Sequence, residues 1–121
     1  MMKTILIIDD QELYLNSLEF ALQKYFDVTV AKSKEDALNK LTSKYDIALI
    51  DIRLNEEEDG NIDGIKLLEW IMMNRPETSV FMMSAHREFS YAEQSLNIGA
   101  KHFFRKPIDI ISLLAIIKEK S

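Results

Sequence analysis

The sequence predicts an α/β fold built on a parallel sheet, and three observations carry that prediction. Short apolar runs alternate with helix-period segments from end to end, the pattern of successive strand–helix units. The runs Ile5-Leu6-Ile7-Ile8 and Ile47-Ala48-Leu49-Ile50 are apolar on both faces and rich in β-branched residues, as fully buried parallel strands are. Acids end both runs, Asp9 and Asp10 the first and Asp51 the second, at the carboxyl ends of strands where open α/β sheets place their sites.

The elements follow in order. Lys3–Ile8 is the first strand, and Gln11–Tyr25 a helix with Leu13, Ser17, Leu18, Ala21, Leu22 and Tyr25 on one face. Val28–Ala31 is a short second strand. Ser33 is placed as the N-cap of the second helix, with Asp36 three residues on in a weak capping box and Ala37, Leu38 and Leu41 facing the core. Tyr45–Asp51 is the third strand. An irregular acid-rich segment, Arg53–Asp63, contains Gly60 and leads into a third helix from about Gly64 to Asn74. Ile65, Leu68 and Ile71 point inward there, and Pro76 closes the helix. Ser79–Met83 is the fourth strand and Glu88–Asn97 the fourth helix, with Gly99 as its C-cap. Lys101–Phe104 is the fifth strand. Asp109–Lys120 is the last helix, with Ile110, Leu113, Leu114 and Ile117 on one face and Ile111 and Ile116 on its flanks.

A chain of 121 residues, 47% of them hydrophobic, is a single domain with a proper core. Three glycines and two prolines are too few for disorder or a repetitive filament. No linker, repeat or low-complexity tract marks a second domain, so residues 1–121 read as one unit. The net charge of −5 disfavours direct binding to nucleic acid or to an anionic membrane. Without cysteine there is neither a disulfide nor a thiolate metal site. The amino-terminal apolar stretch is too short for a signal peptide or a membrane span. The expectation is a cytoplasmic protein.

The rim of the sheet is where the chemistry concentrates. Asp9 and Asp10 follow strand one, Asp51 ends strand three, Ser84 follows strand four and Lys106 follows strand five. If strands one and three are neighbours, three carboxylates converge. Such like charges raise one another's pKa unless a cation neutralises them. Mg2+ suits the cluster, because it prefers hard oxygen ligands and keeps several of its waters. A metal-dependent site for a phosphoryl group is the chemistry these residues favour.

Ile7-Ile8-Asp9-Asp10, Leu49-Ile50-Asp51, Met83-Ser84-Ala85, Gly99-Ala100 and Lys106-Pro107, in that order, resemble the receiver domain of bacterial two-component response regulators over essentially the whole chain. The resemblance implies a flavodoxin-like doubly wound sheet of five parallel strands in the order 2-1-3-4-5 with five helices. It implies a signalling switch, not an enzyme acting on outside substrates. Asp51 would be the phosphoryl acceptor, with a sensor histidine kinase or phosphotransfer protein as donor and Mg2+ as cofactor. Asp10 matches the direct metal ligand, Asp9 the acid acting mostly through water, and Arg53 the residue supplying a backbone carbonyl. Ser84 and Lys106 match the groups that meet the phosphate, and the Lys106–Pro107 bond is expected to be cis. Phe103 stands where the family places its rotating aromatic, although phenylalanine has no hydroxyl to bond at the end of a swing. Arg53 and His86 occupy the two variable positions flanking the reaction centre, where bulk should screen the phosphate from water.

Each residue also has a plainer reading. Asp9 or Asp10 could cap the first helix, Ser84 is an ordinary loop serine, and core packing explains Phe103 as well as switching does. His86 and His102 lack partners at metal-ligand spacing, which makes them surface or packing residues.

The pattern departs from the family between Asp51 and Asp63-Gly64. The stretch is several residues longer than usual, lacks the common proline and carries Glu56, Glu57, Glu58 and Asp59, whose charge should resist a phosphodonor. Asp59-Gly60-Asn61-Ile62-Asp63-Gly64 matches half of a calcium-binding loop, but Trp70 stands where the bidentate glutamate belongs. A solvated acidic insertion over Asn55–Asn61 is the simpler reading, and a partner-specific contact a third.

The main rival is a haloacid-dehalogenase-like phosphatase, which needs a second acid two residues after its nucleophile; counting from Asp9, that position is Gln11. A nucleotide-binding domain would need a Gly-rich loop after strand one, and none is present. The output is expected to be a downstream protein or a fused output domain. It would be reached through helix four, strand five and helix five, a face that would also suit a homodimer.

Overall fold

The structure, a computed structural model, describes residues 2–85 and 90–121. The strands are β1 (Thr4–Ile8), β2 (Asp27–Ala31), β3 (Ile47–Asp51), β4 (Ser79–Ser84) and β5 (His102–Arg105). The helices are α1 (Glu12–Leu22), α2 (Lys34–Lys40), α3 (Asp63–Asn74), α4 (Ser90–Ile98) and α5 (Ile110–Lys120). All strand pairings are parallel, in the order β2-β1-β3-β4-β5, the predicted doubly wound sheet.

Alternation along each strand divides the core in two. Ile5, Ile7, Ile47, Leu49, Phe81, Met83 and Phe104 pack with Leu15, Leu18 and Leu22 of α1 and Leu113 and Ile117 of α5. Leu6, Ile8, Ala48, Ile50, Val80 and Met82 pack on the opposite side with Ala37, Leu41, Ile65, Leu67, Leu68 and Ile71. Successive side chains of a strand point to opposite faces, so continuously apolar strands require cover on both.

The caps follow their local chemistry. The Ser33 side chain accepts the Asp36 N–H, while the Asp36 carboxylate takes the Lys32 N–H and not that of Ser33, so the capping box is shifted by one residue. Asp109 caps α5 through the N–H and hydroxyl of Ser112. Gly99 has φ +140° and its N–H reaches the Ser95 carbonyl, a left-handed C-terminal residue as expected. The predicted start of the fourth helix at Glu88 lies outside the described residues.

One helix face departs from the sequence expectation. The buried line of α1 is Leu15, Leu18 and Leu22, whereas Leu13 is 88% exposed and Tyr25 lies beyond the helix end, exposed. Leu13 is two residues from Leu15, about 200° around the helix, so both cannot face the sheet.

Candidate functional site

The register puts the acids side by side. Ile8 pairs with Ile50, so Asp9 and Asp51 are the next residues along two adjacent strands. Sheet order reverses at β1, and the crevice outside the carboxyl ends of β1 and β3 is the switch point where such folds bind ligands. One oxygen from each of Asp9, Asp10 and Asp51 lies within 4.8 Å of the others. Asp9 is fully buried, Asp51 2% exposed and Asp10 half-buried.

Lys106 enters this group from β5. Its Nζ is 2.8 Å from Asp9 Oδ2 and 3.1 Å from Asp51 Oδ2, and it donates to Gln11 Oε1 at 3.3 Å. The Lys106 N–H donates to the Ser84 carbonyl at 2.8 Å, and the Lys106–Pro107 bond is cis, as expected. Burial, reinforced by the Asp9 carboxylate, pushes the Asp51 carboxyl up to about 8 against the pull of Lys106. Burial also raises Asp10. Burial pulls Lys106 down, but Asp51 and Asp9 more than reverse it, so the ammonium is held charged.

Asp9 combines the two sequence readings. Its Oδ1 accepts the Gln11 N–H at 2.9 Å, as a helix-entry residue does, while Oδ2 faces Lys106. Asp10 Oδ1 is buried and, among the described residues, accepts no hydrogen bond, while Asp9 Oδ2 meets the Lys106 ammonium at 2.8 Å. A buried carboxylate oxygen without a donor, grouped with two further carboxylates, suits a hard divalent cation, so the donor set fits Mg2+.

The other predicted residues arrange themselves around this centre. Ser84 is buried at the end of β4, and its hydroxyl donates to the Ala85 carbonyl at 3.0 Å. Arg53 stands two residues past Asp51, with a guanidinium nitrogen 3.7 Å from Glu56 Oε2. Phe103 is half-buried and, with Tyr91 and Ile98 of α4, packs on the core cluster. His86 lies outside the described residues. His102 packs against Phe104 with ring centroids 4.7 Å apart and planes tilted by 59°, and burial with Lys120 beside it lowers its pKa from the usual value, in keeping with a packing role.

Sequence reasoning missed three contributors. The acidic insertion folds back on the site, and the Glu56 N–H donates to Asp10 Oδ2 at 3.0 Å. Asn61, 5% exposed, accepts from both Leu54 N–H and Asp63 N–H, so this half of the calcium-loop motif ties the loop to itself. Asp63 lies 3.7 Å from Lys34 and 3.9 Å from Lys66. Tyr14 is the third. Its ring centroid is 4.8 Å from Lys106 Nζ, and its hydroxyl oxygen accepts the Ile108 N–H at 2.9 Å. The Glu56–Asp10 and Tyr14–Lys106 contacts join distant segments and have no local sequence signal.

The chain belongs to the response regulator receiver domain family, whose model matches residues 5–118. It is similar to the CheY-like receiver domain protein of Methanospirillum hungatei JF-1, with 31% identity and a TM-score of 0.87 over 99% of this chain and 94% of that one. A response regulator from Burkholderia pseudomallei, carrying a phosphorylated aspartic acid, a calcium ion and citrate, matches with 26% identity and a TM-score of 0.82 over 94% of this chain and 65% of that one. The response regulator protein PilR of Pseudomonas aeruginosa is 32% identical over 93% of this chain and 24% of PilR. The chain spans about a quarter of the length of PilR and of the ZraR regulators it also matches. Among the described residues, no helix is long and apolar enough to cross a membrane. The protein is thus a signalling module of the two-component class.

Proposed function

We propose that Asp51 accepts a phosphoryl group from the phosphohistidine of a sensor kinase or phosphotransfer protein, with Mg2+ as cofactor. The observation that carries this reading is the buried Asp51 carboxylate, 3.1 Å from the Lys106 ammonium and grouped with Asp9 and Asp10 at the switch point. A carboxylate oxygen of Asp51 attacks phosphorus; the P–N bond breaks and its electron pair stays on the imidazole. Asp9, Asp10, Asp51 and the Arg53 carbonyl would hold Mg2+, which when bound offsets the charge of the carboxylates and of the transferring group. The phosphorylated aspartate and calcium ion of the Burkholderia pseudomallei relative support the assignment.

The product adds negative charge to an acidic pocket, so donors must meet it. Lys106 is already within reach of Asp51. Ser84 would turn its hydroxyl from the Ala85 carbonyl toward the phosphate. That movement, with a change at Phe103, would reach α4, β5 and α5 with a coupling on the order of 1–3 kcal/mol. Ile111, 79% exposed, and Leu96, 46% exposed, give this face an apolar element for a downstream protein, a fused output domain or a second copy. A cytoplasmic setting follows from such partners.

Acetyl phosphate with Mg2+, followed by intact mass spectrometry, tests the assignment. The chain should gain one phosphoryl group, an Asp51→Asn variant should gain none, and outside phosphate esters should not be turned over. Modification persisting in the variant would move the acceptor elsewhere. Steady turnover of esters would favour the phosphatase reading. Replacing Arg53 and His86 together by alanine should shorten the phosphoryl lifetime; an unchanged decay would discard the screening role.

A further inference from the structure

We infer that Tyr14 is a positioning residue for Lys106, holding the ammonium at the reach that the phosphoryl switch requires. The inference rests on the acceptor reading of Asp51. Lysine carries its charge on a flexible four-carbon stem with three rotatable donors. Left to itself, such a side chain samples many rotamers and delivers its charge to no single place. Here Nζ is met on several sides: Asp9 Oδ2, Asp51 Oδ2, Gln11 Oε1 and the Tyr14 ring.

Of the three oxygens, water can replace that of exposed Gln11 and phosphorylation perturbs that of Asp51, the acceptor, while Asp9 stays buried beside the ammonium. Tyr14 is the contact that remains besides Asp9. At 4.8 Å the ammonium lies within range of the ring's negative face. The same residue also holds the backbone that carries the lysine. Pro107 has no N–H, so Ile108 offers the first main-chain donor after Lys106, and Tyr14 Oη accepts it at 2.9 Å across 94 residues of sequence. One side chain at the start of α1 thus touches both the charged end of Lys106 and the turn at its base. The plainer view is that Tyr14, half-buried against the α1–α5 core cluster, only packs. Packing would not make its effect depend on the presence of the lysine.

The experiment is a double-mutant cycle on the rate of Asp51 phosphorylation by acetyl phosphate at saturating Mg2+, with urea unfolding of every variant as a check. Tyr14→Phe keeps the ring and removes the acceptor; Tyr14→Leu removes both. The expected order is wild type, then Phe, then Leu, with Tyr14→Phe slower by about twofold to fivefold and Tyr14→Leu by roughly tenfold. In a Lys106→Ala background both substitutions should change the rate by less than about twofold. Equal effects with and without Lys106 would overturn the inference and leave Tyr14 a packing residue. So would a Tyr14→Phe variant as fast as wild type, even where Tyr14→Leu fails to fold. In either case a phosphorylated wild type leaves the acceptor assignment standing. A wild-type chain that takes no phosphoryl group on Asp51 would remove both.

Discussion

A Gly64→Ala variant should be less stable than the parent by about 3 kcal/mol or more, and its Asp51 should accept phosphoryl groups poorly. A Cβ built on Gly64 would stand 1.9 Å from the Asp51 carbonyl oxygen and 2.8 Å from the Ile52 Cα. Those are backbone atoms at the buried end of β3 and of the residue after it, so no rotamer change relieves the clash. Gly64 is also pinned by its own N–H, which donates to the Ile52 carbonyl at 2.9 Å. Either α3 moves outward or the end of β3 shifts, and the end of β3 carries the acceptor. The requirement is close approach, not a left-handed backbone, which distinguishes Gly64 from Gly60 with its φ of +72° and open surroundings. Urea unfolding with a phosphorylation assay checks the prediction; a variant within 1 kcal/mol of the parent, by the usual ~0.5 kcal/mol scale of surface changes, would show that the contact can relax.

Asp51→Asn should stabilise the metal-free protein at pH 8 and flatten its pH dependence. The folded-state carboxyl of Asp51 is raised from the ordinary 3.8 to about 8, chiefly by burial. A raised acid favours the folded state fully below its unfolded value and loses that contribution as pH rises through the folded one. Parent stability in EDTA should therefore fall between about pH 4 and pH 8. Asparagine keeps the shape, does not ionise, and leaves Lys106 paired with Asp9 at 2.8 Å. Asp10 is raised by burial too, so some slope should survive in the variant. Lys106 is raised from an already high value, and its contribution is lost only at still more alkaline pH, outside this window. Saturating Mg2+ should stabilise the parent more than the variant, because the ion offsets the charge that burial penalises. Parallel pH profiles for the two proteins would contradict the origin assigned to the shift.

Much of this molecule is legible one segment at a time. Apolar runs bounded by acids, Ser33 before its helix and Pro76 after another are local signals, because burial on both faces of a strand and the orphan groups of a helix end depend on near neighbours in sequence. The motif resemblance likewise located Asp9, Asp10, Asp51, Ser84 and Lys106, which the fold brings to one rim of the sheet. The inner line of α1 was legible in part: Leu18 and Leu22 lie on the expected face, and Leu15 takes the place expected of Leu13. Leu13 and Leu15 are equally apolar, and only the placement of α1 against Ile5, Ile7 and Leu49 selects Leu15. The second use of the acidic insertion was not legible: its Glu56 N–H meets Asp10 46 residues away.

The sequence by itself therefore determined the strand–helix order, the two-faced burial of the sheet and the identity of the charged residues at its rim. Only tertiary structure decided how that rim is tuned: Gly64 against the Asp51 backbone, Asn61 tying the insertion, and Tyr14 beneath Lys106. The physical reason is range. Hydrophobic period and capping are set within a few residues, whereas a close approach or a shared proton donor exists only once distant segments have packed.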